Sequence, residues 1–181
     1  MPPAEGPATE PVRRIVVMGV AGAGKTSVGV ALADRLGLDF VDADDLHPPA
    51  YVERMRGGRA LTDAERMPWL DLVGAALAAA RAPGVVVACS SLRRAHRDRL
   101  RAVAPDTAFV ALEGDEALLR ERIGGRVGHF MPATLLASQL DAYEAPDADE
   151  RAVRVGVTGG VDEIAATAAS ALERLAGPGA T

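Results

Sequence analysis

The chain has 181 residues, of which 49% are apolar and 25% are charged, and its formal net charge is −5 at pH 7. This length favours one domain with a full hydrophobic core, and no apolar run approaches the roughly 18–20 residues that a membrane-spanning helix requires. The negative charge argues against a nucleic-acid groove, and the single cysteine, Cys89, excludes an internal disulfide and fits a reducing cytoplasm.

Apolar periodicity and turn residues divide the chain into alternating strands and helices. In chain order we predict a strand at 13–18, a helix at 26–36, a strand at 40–41, helices at 48–56 and 63–81, a strand at 85–88, a helix at 92–103, a strand at 108–112, helices at 115–123 and 132–143, a strand at 153–157 and a helix at 161–175. We expect one domain over 13–176, flanked by a disordered tail at 1–12, without a secretory signal, and a short tail at 177–181.

The predicted strands are continuously apolar, which is typical of a parallel sheet covered by helices on both faces. The sequence therefore predicts an α/β fold with a five-stranded parallel sheet. Thr62 and Glu65 form a capping box that marks the start of the helix at 63–81. Residues 122–145 are a candidate lid, with Gly124 and Gly125 as its hinge.

A phosphate-binding motif follows the first strand. Residues 19–26 read GVAGAGKT and match G-x-x-x-x-G-K-[ST] between a strand and a helix. Glycines let backbone N–H groups surround phosphate oxygens, and the helix N-terminus adds partial positive charge. The predicted nucleotide-binding residues are Gly19, Ala21, Gly22, Ala23, Gly24, Lys25, Thr26 and Ser27.

The lysine of this motif is unusual in the chain. Lys25 is the only lysine beside nineteen arginines, which indicates a position where a compact ammonium is required rather than a planar guanidinium. We expect Lys25 to reach the β- and γ-phosphates and the Thr26 hydroxyl to bind Mg²⁺.

Other segments narrow the class of nucleotide-binding protein. The chain has no asparagine, so the Asn-Lys-x-Asp loop with which GTPases read guanine is excluded. The third strand runs into Cys89, Ser90 and Ser91 without a carboxylate, which disfavours motor-type ATPases. Asp42 and Asp44 follow the second strand, at the sheet edge where open α/β sheets bind ligands. One can hold Mg²⁺ while the other orients or deprotonates a substrate hydroxyl.

Several segments together resemble the small gluconokinases of the shikimate-kinase and adenylate-kinase-like group. The resemblance covers about residues 15–175. Its segments are MGVAGAGKT at 18–26, DADDLHP at 42–48, LTD and RMPWL within 61–70, CSSL, RD and LR within 89–101, RVGHF at 126–130, LLASQ at 135–139 and EAP at 144–146. The chain departs from the family at Tyr51 and His96, where the family has Asn and Tyr.

This resemblance implies a nucleoside-monophosphate-kinase-like P-loop fold with a mobile helical lid. It implies a cytoplasmic homodimer that uses ATP and Mg²⁺ to convert D-gluconate to 6-phospho-D-gluconate, which feeds the pentose phosphate pathway. The implied catalytic residues are Lys25, Asp44, Arg122 and Arg126, the two arginines closing over the ATP phosphates, and Thr26 and Asp42 are the implied metal ligands.

Gluconate is an anionic polyol, so its site needs a cation and several hydrogen-bonding groups. A guanidinium binds a carboxylate through two parallel hydrogen bonds. The predicted substrate-binding residues are Asp44, His47, Arg54, Ser90, Ser91, Arg97 and His129. Two alternatives stay open: a related kinase for shikimate, another sugar acid or a nucleoside monophosphate, and a non-catalytic ATP-binding regulatory protein.

Overall fold

A five-stranded parallel sheet forms the centre of the computed structural model, which describes residues 11–57, 59–125 and 133–177. The strand order is β2-β3-β1-β4-β5, and every neighbouring pair is parallel. The strands are β1 (Arg14–Met18), β2 (Asp39–Asp42), β3 (Val85–Ala88), β4 (Ala108–Glu113) and β5 (Ala152–Gly156). The predicted parallel sheet is confirmed.

Seven α-helices and one short 3₁₀ helix connect and cover these strands within the described ranges. The helices are α1 (Lys25–Leu36), α2 (Pro49–Arg56), α3 (Asp63–Ala79), α4 (Arg94–Val103), α5 (Glu116–Gly124), α6 (Ala133–Ala142) and α7 (Val161–Ala176), and the 3₁₀ helix spans Ala43–Leu46. Each predicted helix is present, with ends that differ by at most two residues. None of the helices in the described ranges is long and apolar enough to cross a bilayer.

The helices cover both faces of the sheet. Ile15 and Val17 of β1 pack into a core with α1 and α7, whereas Val16 and Met18 pack into a second core with α3 and α4. All four side chains are fully buried. Because successive residues of a strand point to opposite faces, a strand with a core on each face must be apolar throughout.

Two helix starts were visible in the sequence. The Glu65 backbone N–H donates to Thr62 Oγ1 at 3.3 Å, and the Thr62 N–H donates to Glu65 Oε2 at 2.9 Å, so the capping box at α3 is confirmed. Asp115 caps α5 by accepting from the Leu118 N–H at 2.8 Å. Each cap satisfies backbone donors that the first helical turn leaves without a partner.

The topology brings three connections to one edge of the sheet. The phosphate-binding loop leaves the carboxyl end of β1, the 3₁₀ helix leaves that of β2, and Cys89 to Leu92 leave that of β3. Since β2, β3 and β1 are adjacent and parallel, their carboxyl ends lie side by side. This edge therefore carries the candidate site.

Candidate active site

A cavity of about 1170 Å³ opens at this edge of the sheet. This is above the roughly 300–1000 Å³ of a typical small-molecule pocket, so the cavity has room for two substrates. The predicted site residues that line it are Ala21, Gly22, Gly24, Lys25, Thr26, Ser27, Asp42, Asp44, His47 and Ser90. The cavity thus brings the loop after β1 together with the acidic segment after β2.

Glycine gives the phosphate-binding loop its shape. Gly24 precedes α1 with φ of 90°, and Gly22 has φ of 81°. Residues that carry a side chain rarely adopt such values. A Cβ on Gly22 would also lie 2.8 Å from the carbonyl oxygen of Leu119. The loop therefore presents its backbone and the N-terminus of α1 to the cavity, an arrangement that favours anions.

Two predicted loop residues do not line the cavity. The Gly19 N–H donates to the Ser90 carbonyl at 3.3 Å, and the Ala23 N–H donates to the Val20 carbonyl at 3.2 Å. Both amides are thus engaged within the protein. The Lys25 ammonium, which does line the cavity, donates to the Val20 carbonyl at 3.2 Å.

The Asp42 carboxylate joins the phosphate-binding loop to the acidic segment. The Thr26 hydroxyl donates to Asp42 Oδ2 at 2.7 Å, and the Asp44 backbone N–H donates to Asp42 Oδ1 at 3.0 Å. A hydroxyl and a carboxylate are hard oxygen donors of the kind that Mg²⁺ prefers. The pair predicted as metal ligands is therefore adjacent and chemically suited to that ion.

The surroundings of Asp44 change the pKa of its carboxyl group. Its side chain is 86% exposed to water inside the cavity, but the cavity walls restrict the bulk solvent around it, and the Asp42 carboxylate lies close by. These two effects, the first being the larger, raise the pKa of Asp44 above its ordinary 3.8, while Lys25 and His47 oppose them. A raised carboxyl pKa makes a better proton acceptor of the ionised group.

His47 is held on the cavity wall by Trp69. The two rings stack at 4.2 Å between centroids and 9° between planes, and Trp69 Nε1 donates to the Ala43 carbonyl at 2.7 Å. Burial lowers the pKa of His47, so its ring is neutral at pH 7. Its Nδ1 is buried and has no hydrogen-bond partner in the protein, which leaves that atom for a ligand.

The structure corrects the assignment of Arg97 and Ser91 to substrate binding. The Arg97 side chain is fully buried and makes two parallel hydrogen bonds to the Glu150 carboxylate, both at 2.7 Å. Ser91 is also fully buried, and its hydroxyl donates to Cys89 Sγ at 3.2 Å. Neither residue lines the cavity, because the Arg97 side chain is directed to Glu150 and the Ser91 hydroxyl to Cys89.

Two further predicted arginines have partners away from the cavity lining. Arg54 on α2 pairs with Glu65 at the start of α3. Arg122 on α5 donates to the Val157 carbonyl at 2.5 Å, which ties the base of the predicted lid to the loop after β5. Arg126 and His129 lie outside the described residues.

The cavity also contains residues that the sequence reasoning did not assign. Asp63 and Arg66 reach it from α3, Arg93 and His96 from the start of α4, and Gln139 from α6. All five lie within residues 61–70, 89–101 and 135–139, the ranges that contain resembling segments given above, and this was the available signal.

Gln139 links the helix after the predicted lid to the phosphate-binding loop. Its side-chain oxygen accepts a hydrogen bond from the Ala21 backbone N–H at 2.6 Å. One loop amide is therefore engaged by a side chain that lies 118 residues further along the chain.

Comparison with known proteins agrees with this geometry. A family model described as "AAA domain" matches residues 15–146. A gluconokinase of Gluconobacter oxydans is 47% identical over 145 residues, which cover 79% of this chain and 82% of that protein. The chain belongs to the gluconokinase family.

Solved structures support the family and the fold. The crystal structure of a gluconokinase from Sinorhizobium meliloti superposes with a TM-score of 0.84 at 47% identity, covering 91% of this chain and 94% of that chain. An APS kinase of Mycobacterium tuberculosis, at 20% identity, gives a TM-score of 0.63 and covers 90% and 99%. The predicted α/β P-loop fold is confirmed, and the chain is a kinase.

Proposed function

We propose that the protein transfers the γ-phosphoryl group of ATP to D-gluconate and forms 6-phospho-D-gluconate. The observation that carries this proposal is the Asp42 carboxylate, which bonds both Thr26 of the phosphate-binding loop and the backbone of Asp44. It fixes the distance between the nucleotide phosphates and the residue that receives the acceptor. Family membership supplies the identity of that acceptor.

The reaction needs correct positioning more than covalent participation by the protein. The terminal hydroxyl oxygen of gluconate attacks the γ-phosphorus, and its proton passes to the Asp44 carboxylate. The bond between the γ-phosphorus and the β–γ bridging oxygen breaks, and ADP leaves. Lys25 and the N-terminus of α1 stabilise the phosphate charge throughout.

The proposal includes Mg²⁺, which Thr26 and Asp42 would hold. When bound, such an ion would neutralise negative charge on the phosphates during the transfer. Within the described residues no group of three or more His, Cys, Asp or Glu could hold a metal. Mg²⁺ is usually held by one or two protein oxygens together with substrate phosphates and water.

The remaining features of the proposal follow family likeness. Residues 122–145 act as the lid that brings Arg122 and Arg126 to the phosphates and excludes water, and His129 contacts the acceptor. The protein acts in the cytoplasm as a homodimer, a state that light scattering of the purified chain would test.

An acceptor panel tests the function directly. ADP release is measured with ATP and Mg²⁺ plus gluconate, shikimate, other sugar acids or nucleoside monophosphates, with ATP alone as the background. We expect kcat/KM to be largest for gluconate, and a dehydrogenase specific for 6-phosphogluconate to detect the product. Greater turnover of another acceptor would replace gluconate, whereas ATP binding without turnover of any acceptor would indicate a regulatory protein.

A further inference from the structure

A sugar acid in this cavity needs a cation for its carboxylate, and the two arginines that sequence reasoning assigned to it are engaged elsewhere. Arg97 is fully buried against Glu150, and Arg54 pairs with Glu65. Neither lines the cavity. The cation that recognises the acceptor must therefore be sought among the other basic residues of the wall.

Arg66 on α3 has the features of a residue built to bind an anion. It lines the cavity, and its Nε is buried without a hydrogen-bond partner. Its one hydrogen bond in the structure is long, from Nη2 to the Leu61 carbonyl at 3.4 Å. A buried donor without a partner costs free energy, and in a cavity wall a ligand can supply the partner.

The second buried side-chain atom without a partner belongs to the same cavity. Among the described residues, such atoms occur on Arg66 and on His47, and on no other side chain. Both residues line this cavity, as does Asp44, and His47 Nε2 lies 3.9 Å from Asp44 Oδ1. One small molecule can therefore contact Arg66, His47 and Asp44 together.

The charges around Arg66 leave a positive surplus. The nearby carboxylate is Asp63, which lies 3.7 Å from Arg93 Nε and 3.3 Å from His96 Nε2. His96 accepts from the Arg93 backbone N–H through Nδ1 at 3.4 Å, so its proton is on Nε2 and faces Asp63. Asp63 is thus shared, and the Arg66 guanidinium carries its positive charge because arginine does not lose its proton in proteins.

We propose that Arg66 is the residue that recognises the carboxylate of the acceptor. Its guanidinium binds the carboxylate of a sugar acid through parallel hydrogen bonds, and His47 bonds a chain hydroxyl. The opposite end of the molecule then presents its terminal hydroxyl to Asp44. This inference rests on the proposed function, since it assumes a sugar-acid acceptor.

Three variants test the proposal. Arg66→Gln removes the charge, and Arg66→Lys keeps the charge but loses the fork. Arg99→Gln is the matched control, because Arg99 pairs with a carboxylate of α3, Asp71 at 2.7 Å, but does not line the cavity. The readouts are kcat/KM for gluconate, KM for ATP, and kcat/KM for gluconamide, which replaces the carboxylate by a neutral amide. Circular dichroism and thermal unfolding report whether each variant is folded.

We expect Arg66→Gln to lower kcat/KM for gluconate by about 30-fold or more, as when one partner of a desolvated charge pair is truncated. KM for ATP stays within about twofold, and kcat/KM for gluconamide changes little, so the preference for the charged acceptor is lost. Arg66→Lys loses part of the activity because an ammonium cannot replace the fork. Arg99→Gln behaves as the wild type.

The outcomes separate this inference from the proposed function. A wild-type protein without activity on gluconate ends the proposed function. An active wild type with an Arg66→Gln variant of unchanged gluconate kcat/KM overturns the role of Arg66 alone, as does an equal loss in Arg99→Gln. If Arg66→Gln does not fold, Arg66→Lys decides: a variant equal to the wild type toward gluconate overturns the proposal.

Discussion

The buried ion pair between Arg97 and Glu150 gives the most quantitative prediction. Both side chains are fully buried and joined by two hydrogen bonds of 2.7 Å. Arg97 also donates to the carbonyls of Ser91, Leu92 and Glu144 at 3.3, 3.4 and 2.9 Å. The substitution Arg97→Met removes all five hydrogen bonds while keeping most of the side-chain volume.

The cost of this substitution follows from what remains unpaired. Glu150 keeps Arg101 at 2.9 Å and the Asp147 N–H at 3.0 Å, but three carbonyls, two of them buried, lose a donor. Breaking a buried pair by removing one partner costs about 3–5 kcal/mol. For a domain of this size that lowers Tm by roughly 6–20 °C, a large share of a total stability of about 5–15 kcal/mol.

The pair also makes stability depend on pH. Burial opposes the ionisation of Glu150, but hydrogen bonds from Arg97, the Asp147 backbone and Arg101 outweigh it and lower the pKa to about 2. The stabilisation is therefore complete above the ordinary pKa of 4.5 and is lost as pH falls toward about 2. In Arg97→Met this loss between pH 4.5 and 2 should be smaller.

Urea unfolding at pH 7 measures the free energy of unfolding. KM for gluconate is measured without urea on the same protein preparations. We expect a large loss of stability with little change in KM. The double variant Arg97→Met/Glu150→Leu is the control, because replacing a whole buried pair by apolar groups is often neutral or stabilising. A loss of unfolding free energy below about 1 kcal/mol in Arg97→Met would refute this reasoning. A gluconate KM raised tenfold without loss of stability would also refute it and would assign Arg97 to the substrate site.

Three further predictions concern the cavity. Asp44→Asn should lower kcat by about 10²–10⁴-fold with KM for ATP unchanged, and retention of activity within threefold in steady-state assays would remove Asp44 from the reaction. Since only ionised Asp44 accepts a proton, kcat/KM should fall at acid pH with an apparent pKa above 3.8. Asp45→Asn removes a charge that raises the pKa of Asp44, so it should move the acid side of this pH profile to lower pH. An unmoved profile would contradict the assignment of Asp44. Gln139→Ala should cost about 1 kcal/mol in urea unfolding because the Ala21 N–H loses its acceptor, and an unchanged midpoint would show that this bond adds no stability.

Local signals in the sequence were sufficient for the fold and for the phosphate-binding half of the site. Continuously apolar strands predicted a sheet with a core on each face, and the glycines, Lys25 and Thr26 predicted the loop that opens the cavity. The capping residues Thr62 and Asp115 marked helix starts. These features depend on residues that are neighbours along the chain, so the chain order alone reveals them.

The tertiary structure decided which arginines face the cavity. Arg97 and Arg66 are both helical arginines in segments that resemble the family, and nothing in their local sequence separates them. The packing of α4 turns Arg97 onto Glu150, 53 residues away, whereas α3 places Arg66 beside His47. Burial and partner choice across such distances depend on how helices pack on the sheet, so the sequence alone did not reveal that the Arg97 side chain is buried away from the cavity.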